Sequence, residues 1–186
     1  MLKVELLIGM IGSGKSRYAL SRANEGAIII CHDTISASVH GEQRYEQELR
    51  DFYRRVQTDM LFEAFIEKRD VVIDRTHLTR ESRQWWKEWC DYARKMKSFD
   101  DIGEFRVAAV TFPIHSPDTH ARRRFEADNR GRSYAEWLSV AMHHADQAFA
   151  EPLNAVEEGF DWLTVMMDSG ERHDFDLRKP DPAREA

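Results

Sequence analysis

Eight residues near the start of the chain have the types and spacing of a phosphate-binding loop. The stretch from Gly9 to Ser16, "GMIGSGKS", fits the pattern G-x-x-x-x-G-K-[ST]. Glycines let backbone N–H groups turn towards phosphate oxygens, the lysine supplies a mobile cation, and the serine hydroxyl is a ligand for Mg²⁺. Because an apolar run precedes the loop and a helical pattern follows it, we predict a site for a nucleoside triphosphate. Its binding residues would be Gly9, Gly12, Ser13, Gly14, Lys15 and Ser16.

Two aspartates follow later apolar runs, where parallel strands would end. Asp33 follows "IIICH" and Asp74 ends "VVID". We predict that Asp74, beside the phosphate loop, holds a magnesium-bound water or the acceptor. We predict that Asp33, facing the γ-phosphate, takes the proton of an attacking hydroxyl. The structural alternative for both residues is the cap of a turn or helix.

The segment "RRRFEADNRGR" carries five arginines and two acidic residues between two helical patterns. Small kinases have a lid at this point, and lid arginines neutralise charge on the phosphoryl group during transfer. Arg130 is the first candidate for this role, and Arg124, which we assign to the ATP site, is the second. Arg122, Arg123 and Arg132 belong either to a solvated face or to a contact with an anionic substrate.

Apolar runs alternate with helical patterns along the chain. The predicted strands are Val4–Ile8, Ala27–Cys31, "DVVID", "FRVAAVTF" and "FDWLTVM". The predicted helices run from Lys15 to about Asn24, from about Tyr45 to Lys68, after Thr79, from Pro117 to about Asp128, and after Ser133. This order predicts an α/β fold with a parallel sheet covered on both faces. Ligands of such sheets bind at the carboxyl ends of the strands.

Two aromatic or histidine clusters resemble binding motifs, but helical geometry favours other uses. Trp85, Trp89 and Tyr92 share one stripe of a helix, so we interpret them as core residues rather than as a platform for stacked bases. The neighbours His143 and His144 point about 100° apart on a helix and are poorly placed to ligate one metal ion.

Length and charge bound the class of protein. The 186 residues suit one domain, which we place at residues 1–168 with a lid at about 121–133, followed by a flexible acidic tail at 169–186. The net charge of −6 arises from Glu151 onward, where the chain has ten acidic and four basic residues. The balanced remainder argues against a large footprint on duplex nucleic acid but allows a local basic patch.

The sequence also carries an expectation about location. No apolar run is long enough to cross a bilayer, and Cys31 and Cys90 lack the spacing of a metal site. We therefore expect an intracellular protein in a reducing compartment, which would be the host cytoplasm if a phage encodes it.

These residues together resemble the 5′-kinase domain of polynucleotide kinases of the phage and animal end-repair types, over about residues 3–167. The stretches that carry the resemblance are "IGMIGSGKS", "CHDT", "VVIDRTHLTRESR", "RRRF…RGRSYAEW" and "FAEPLNAVEEGF". The resemblance implies a P-loop kinase fold, ATP as donor, Mg²⁺ as cofactor and a 5′-hydroxyl end of DNA or RNA as acceptor. By position, it implies that Lys15 and Ser16 bind phosphate and metal, that Asp33 is the general base, and that Asp74 assists at the acceptor or metal. Arg130 would be the lid arginine.

One position differs from the phage members of this family. They have an arginine three residues after the catalytic aspartate, which binds a phosphate of the acceptor strand, whereas this chain has Ser36. The family's usual phosphatase domain has no counterpart among these residues.

Three further functions remain open at this point. One is the phage-type kinase that phosphorylates the hydroxymethyl group of a modified base such as 5-hydroxymethyluridine in DNA. Another is a kinase for a small molecule such as a nucleoside or a sugar. The third is a nucleotide-binding regulator without catalysis. A GTPase switch is disfavoured because the chain has no guanine-specifying N-K-x-D motif.

Overall fold

Strands and helices alternate in the computed structural model, which describes residues 1–42, 44–96, 104–127 and 130–178. The strands are β1 (Leu2–Ile8), β2 (Ile28–Cys31), β3 (Val71–Asp74), β4 (Phe105–Thr111), β5 (Trp162–Met166) and β6 (Arg172–Asp176). The helices are α1 (Lys15–Asn24), α2 (His32–His40), α3 (Arg50–Ile66), α4 (Arg80–Lys95), α5 (Pro117–Ala127) and α6 (Tyr134–Ala150).

The strands form one six-stranded sheet in the order β2-β3-β1-β4-β5-β6. The first five strands run parallel, and β6 pairs antiparallel with β5. Because β1 lies in the interior of the sheet, the phosphate-binding loop that follows it opens near the centre of the sheet's carboxyl edge. The predicted parallel α/β fold is confirmed.

Successive residues of β1 face opposite layers of helices. Leu6 packs in one cluster with Phe65 of α3 and Trp86 of α4. Leu7 packs in a second cluster with Ala19 of α1. This alternation is what the pleat of a strand buried on both faces requires.

A third apolar cluster lies under the phosphate-binding loop. Met10, which is fully buried in the loop itself, packs with Ala121 of α5 and with Trp137 of α6. The loop therefore rests on the two helices that flank the predicted lid.

Three helix starts follow the predicted capping patterns. The Thr79 hydroxyl accepts a hydrogen bond from Ser82 N at the start of α4. Ser116 Oγ accepts from Thr119 N at the start of α5, at 3.2 Å. Ser133 and Glu136 form a reciprocal capping box at the start of α6.

The helix predicted from about Tyr45 is shorter than expected, and α2 precedes it. Ser36 of α2 is buried, and its hydroxyl donates a hydrogen bond to the Arg44 carbonyl. This contact holds the segment before α3 outside the helix. The Tyr45 ring instead lies against the rings of His32 and Tyr53, at 5.2 and 5.6 Å between centroids.

The aromatic stripe predicted for α4 is confirmed for Trp85 and Trp89, which pack against the core cluster, but not for Tyr92. The buried side chains of the helix are Arg83, Trp86, Lys87, Cys90 and Ala93. Trp85 and Trp89 are half-buried at the margin of the core, and Tyr92 is 49% exposed. The buried ion pair of Arg83 with Glu158 turns the helix by about one residue relative to the predicted stripe.

The tail predicted to be flexible contains a strand. β6 pairs with β5 from Arg172 to Asp176, and Asp174 accepts hydrogen bonds from Trp162 Nε1 and Thr164 Oγ1 at 3.1 and 2.5 Å. These partners belong to β5, so the polar segment Arg172–Asp176 is ordered because it pairs with the edge of the sheet that β5 would otherwise expose. The predicted loop at 97–103, the lid residues 128–129 and the last tail residues 179–186 lie outside the described residues.

Two expectations about composition can be compared with the structure. Cys31 and Cys90 form no disulfide. Within the described ranges, no helix combines the length and apolar character needed to cross a membrane.

Candidate active site

The phosphate-binding loop depends on two glycines with positive φ. Gly12 has φ 63°, and a Cβ at this position would lie 2.7 Å from the His120 carbonyl oxygen of α5. Gly14, with φ 100°, is the N-cap residue of α1, and it has no side chain that could accept hydrogen bonds from the N–H groups of the first turn. Any other residue at either position would be strained, so the sequence pattern fixes the shape of the loop. The loop leaves the N-terminus of α1 available to an anion.

Lys15 lies inside this loop and is only 8% exposed. Its Nζ donates hydrogen bonds to the carbonyl oxygens of Gly9 and Met10, at 2.9 and 2.6 Å. Burial lowers the pKa of Lys15 to about 8, although the nearby carboxylates of Asp74 and Asp33 oppose that shift. The ammonium group is therefore poorly solvated and would gain from a neighbouring anion.

Asp74 and Ser16 lie close to each other and to Lys15. Asp74 is the last residue of β3, and the neighbouring Ser16 side chain favours its ionised form. Burial raises the pKa of Asp74, while the Ser16 hydroxyl and the charge of Lys15 oppose the rise. A carboxylate and a hydroxyl are hard oxygen donors of the kind that Mg²⁺ binds together with substrate phosphates. The described residues contain no cluster of three or more His, Cys, Asp or Glu that could hold a metal alone.

Asp33 and Arg130 form an ion pair above the carboxyl edge of the sheet. Asp33 is the second residue of α2, directly after β2, and its side chain is 51% exposed. Arg130 Nη1 donates a hydrogen bond to Asp33 Oδ2 at 2.8 Å. Arg130 and Gly131 both have positive φ, at 49° and 71°, in the turn before α6. The turn thus directs the predicted lid arginine towards the predicted base.

The other lid arginines have different surroundings. The guanidinium groups of Arg124 and Arg132 lie 5.0 and 4.9 Å from the centre of the Trp137 ring. Arg124 is also near enough to Lys15 to contribute to the lowering of its pKa. Arg122 is exposed and pairs with Asp118 on the same helix. Of these three, Arg124 is the one that its electrostatic contact with Lys15 places at the phosphate loop.

Buried histidines support the loop, a role that the sequence did not reveal, since His77 carries no motif and His144 was considered only as a metal ligand. His77 is 2% exposed, its Nδ1 lies 2.9 Å from the Leu7 carbonyl oxygen, and burial lowers its pKa to about 3. His144 Nδ1 accepts a hydrogen bond from Ile11 N of the loop at 3.4 Å, and burial lowers its pKa to about 4. Both imidazoles are therefore neutral near pH 7 and act as hydrogen-bonding supports of the loop. No local pattern marks these residues, because their partners are distant in sequence.

A buried ion pair supports the loop from below. Arg83 donates from Nε and Nη2 to the two carboxylate oxygens of Glu158, at 2.7 and 2.8 Å. Its Nη1 donates to the carbonyl oxygens of His77 and Leu78, at 3.1 and 2.9 Å. Because Gly9 N donates to the Thr76 carbonyl, the segment that Arg83 holds also holds the phosphate-binding loop.

A groove opens next to Asp33, between α3, α4 and the ends of β2 and β3. Its volume is about 360 Å³. Its lining is mainly cationic and aromatic and includes Arg50, Arg54, Arg75, Tyr45, Tyr53 and Trp85. We predicted no site here from the sequence. The departure of Trp85 from the buried stripe of α4 is the only local signal for it.

Comparison with known families identifies the chain. The model of the AAA domain family matches residues 4–152, which include the phosphate loop, both aspartates and the lid. The chain belongs to this family. A search of curated proteins gives no significant match.

Solved structures share the fold of this AAA domain at low sequence identity. The Pnkp1/Rnl/Hen1 RNA repair complex aligns with a TM-score of 0.64 and 16% identity, covering 96% of this chain and 50% of that one. A fungal RNA kinase aligns with a TM-score of 0.59 and 15% identity, covering 92% and 78%. The PezAT toxin–antitoxin system of Streptococcus pneumoniae aligns with a TM-score of 0.52 and 14% identity, covering 97% and 74%.

These alignments establish the P-loop kinase fold for the AAA domain. The chain spans half or less of the length of the two chains of Pnkp1/Rnl/Hen1 complexes that it matches. The predicted site residues all lie at the carboxyl edge of this fold. Asp33 and Arg130 are in direct contact, whereas Ser16 with Asp74 and Lys15 with Arg124 are near enough to interact electrostatically.

Proposed function

We propose that this AAA domain is an ATP-dependent phosphotransferase whose acceptor is a hydroxyl group of a polynucleotide, most simply the 5′-hydroxyl end of RNA or DNA. The contact between Asp33 and Arg130 carries the proposal. It brings a carboxylate that can accept a proton and a cation that can neutralise a phosphoryl group to one point beside the phosphate loop. A regulator that only binds nucleotide has no need of this pair.

The donor would be held by the loop and by α1. Backbone N–H groups around Gly12 and Gly14 would bind phosphate oxygens, and Lys15 would replace its two carbonyl partners by phosphate. Arg124 would contact the nucleotide from α5. Ser16 and Asp74 would hold Mg²⁺, with Asp74 acting through a water, and the bound ion would neutralise charge on the β- and γ-phosphates.

Transfer would proceed by attack of the acceptor oxygen on the γ-phosphorus of ATP. Asp33 would take the proton of the attacking hydroxyl as the new O–P bond forms. The bond between the γ-phosphorus and the bridging oxygen breaks, and ADP leaves with the bonding electrons. Arg130 would stabilise the charge on the moving phosphoryl group. Its present contact with Asp33, the proposed base, supports this role.

A polynucleotide acceptor is supported by two observations. The fungal RNA kinase shares the fold over most of both chains. In this chain a groove lined by three arginines and several aromatic rings lies next to Asp33, which suits an anionic ligand with flat rings. Ser36 is buried and occupied by its contact with Arg44, so it is poorly placed to bind an acceptor phosphate.

A transfer assay with ATP labelled in the γ-phosphate tests the proposal. The acceptors offered side by side would be 5′-hydroxyl RNA and DNA oligonucleotides, DNA with 5-hydroxymethyluridine, nucleosides and small alcohols. The proposal expects label on the oligonucleotides with free 5′-hydroxyl ends, and at least about a hundredfold slower labelling by Asp33→Asn. Label on the modified base or on a small alcohol alone would assign one of the alternative kinases instead.

A further inference from the structure

The groove beside Asp33 is unusually rich in cationic side chains. Arg50, Arg54 and Arg75 line it, and Glu81 is the single carboxylate among its lining residues. None of the three arginines forms a salt bridge within the part of the chain that the structure describes. The positive charge of Arg75 is repelled by Arg54 and attracted by Asp33. Such a cluster of like charges favours binding of an anion.

One of these arginines is held in position by an aromatic ring. The guanidinium carbon of Arg54 lies 5.6 Å from the centre of the Trp85 ring. A cation–π contact of this kind restrains the side chain without using its N–H donors. Those donors therefore remain available to a phosphate, which a guanidinium binds with two parallel hydrogen bonds.

The same groove offers an exposed ring that is packed from behind. Tyr45 is 48% exposed, and its ring is supported by the rings of His32 and Tyr53. Stacking of a nucleobase on such a ring is favourable for every base, because each base has a π face.

A buried polar atom also belongs to this groove. Gln57 lines the groove and is 1% exposed. Its Nε2 lies 2.9 Å from His32 Nδ1, whereas its Oε1 has no hydrogen-bond partner among the described residues. An unpartnered buried amide oxygen is costly in a closed core and suits a site that receives a ligand.

We propose that this groove binds the first nucleotide of the acceptor strand, with its base on Tyr45 and its 3′-phosphate between Arg54 and Arg75. The inference rests on the proposed function and specifies the acceptor: a nucleotide that carries a phosphate on the sugar whose 5′-hydroxyl is attacked. The volume of about 360 Å³ lies near the lower end of the range for ligand pockets, roughly 300–1,000 Å³. It suits one nucleotide rather than a base pair, so the end would enter as a single strand.

Binding measurements test the assignment independently of catalysis. The probe is a fluorescent single-stranded 5′-hydroxyl trinucleotide, titrated with wild type, Arg54→Ala and Arg75→Ala. We expect each variant to bind at least about tenfold more weakly, because each loses a hydrogen-bonded charge contact. Each should also lower the slope of log affinity against log salt by part of the roughly 0.7 expected for one phosphate on a single strand, because the other arginine still contacts that phosphate. The matched control is Arg55→Ala, since Arg55 is exposed on α3 and does not line the groove.

Two further comparisons separate the phosphate from the base. Wild type should bind a nucleoside 3′-monophosphate at least about tenfold more tightly than the nucleoside, and Arg54→Ala should lose that preference. Tyr45→Ala should weaken binding of the trinucleotide, whereas Tyr45→Phe, which keeps the ring, should not. Melting temperatures show whether each variant is folded. If an arginine-to-alanine variant does not fold, the lysine variant at the same position replaces it, because lysine keeps the charge but loses the planar pair of N–H donors.

The outcomes distinguish this inference from the proposed function. Unchanged trinucleotide affinity in folded Arg54 and Arg75 variants would overturn the groove assignment, even if wild type phosphorylates the trinucleotide. Loss of affinity in both variants, together with no transfer by wild type to any 5′-hydroxyl end, would overturn the proposed function and leave the groove as a nucleotide site.

Discussion

Arg130 donates a hydrogen bond to the carboxylate of Asp33 at 2.8 Å, joining the turn before α6 to the first turn of α2. The two residues are 97 positions apart in the chain. Their contact places opposite charges in the space between the phosphate loop and the groove. In the proposed reaction, one member accepts a proton while the other stabilises the transferred group.

Asp33→Asn should reduce the maximal rate of phosphate transfer by at least about a hundredfold. Loss of a general base costs about 10²–10⁴ in rate, whereas the donor phosphates do not require this carboxylate. Steady-state kinetics and ADP titration measure the two effects, and ADP affinity should stay within a few-fold. The matched control is Asp51→Asn, at an exposed position of α3. A collapse of nucleotide affinity with a normal rate at saturation would make Asp33 a binding residue.

Arg130→Ala should lower the maximal rate by at least about a hundredfold with little change in nucleotide affinity. The reason is that a lid arginine acts mainly on charge that develops during transfer. Arg122→Ala serves as the control, because Arg122 is exposed and forms its salt bridge with Asp118 of the same helix. If Arg130→Ala changed KM for the acceptor and left kcat intact, the lid arginine would have to be sought elsewhere.

Nucleotide affinity should fall as the pH rises above about 8. Burial lowers the pKa of Lys15 to about 8, so the free protein loses the cation that binds phosphate above this pH. Binding then requires uptake of a proton, and the dissociation constant should rise by up to about tenfold per pH unit. Calorimetric titration with ADP between pH 7 and 9.5 measures this, because the phosphates are fully ionised there.

Lys15→Arg provides the control for this pH dependence, since a guanidinium group keeps its charge throughout the range. Its ADP affinity should be nearly independent of pH. A wild-type affinity that is flat between pH 7 and 9.5 would contradict the assignment of Lys15 to the phosphates.

Arg83→Met should destabilise the fold by about 3–5 kcal/mol, because it leaves the Glu158 carboxylate buried without its partner. The variant also removes the donors to the His77 and Leu78 carbonyl groups. Urea unfolding gives the free energy, and Arg80→Ala at an exposed position of the same helix is the control. The double variant Arg83→Met, Glu158→Leu should recover part of the loss; equal losses in both would point to packing rather than to the ion pair.

Ending the chain at Gly170 should lower the melting temperature by roughly 5–10 °C, in contrast to the expectation of a flexible tail at 169–186. The truncation removes β6 and the carboxylate of Asp174, and with them several hydrogen bonds of about 1 kcal/mol each. Calorimetry on this form, and on a form ended after Arg178, measures the effect. An unchanged melting temperature at Gly170 would show that β6 contributes nothing to stability.

The sequence was most informative where local chemistry determines structure. The phosphate loop follows from Gly12, Gly14 and Lys15 at fixed spacing, because only glycine tolerates the backbone angles there. The helix caps at Thr79 and Ser133 follow from the same kind of local rule.

The sequence was least informative where distant residues decide. In "RQWWKEWC" two adjacent stripes are both apolar, and the choice between them depends on Arg83, whose partner Glu158 lies 75 residues away. The groove was missed for the same reason, since Tyr45 continues the spacing of α3 but is packed against His32 instead. β6 was missed because "RHDFD" has the composition of a tail and becomes a strand only beside β5.

The position of β6 at the edge of the sheet has a consequence for behaviour at high concentration. Without it, β5 would present a row of unpaired N–H and C=O groups flanked by Trp162, Leu163 and Val165. An open apolar edge of this kind recruits strands from other molecules. β6 covers that edge with charged side chains such as Arg172 and Asp174, which are themselves paired. β6 therefore protects the edge of β5 from pairing with other molecules. Concentrated solutions of the chain ended at Gly170 should aggregate by strand addition, while the longer form should stay monodisperse.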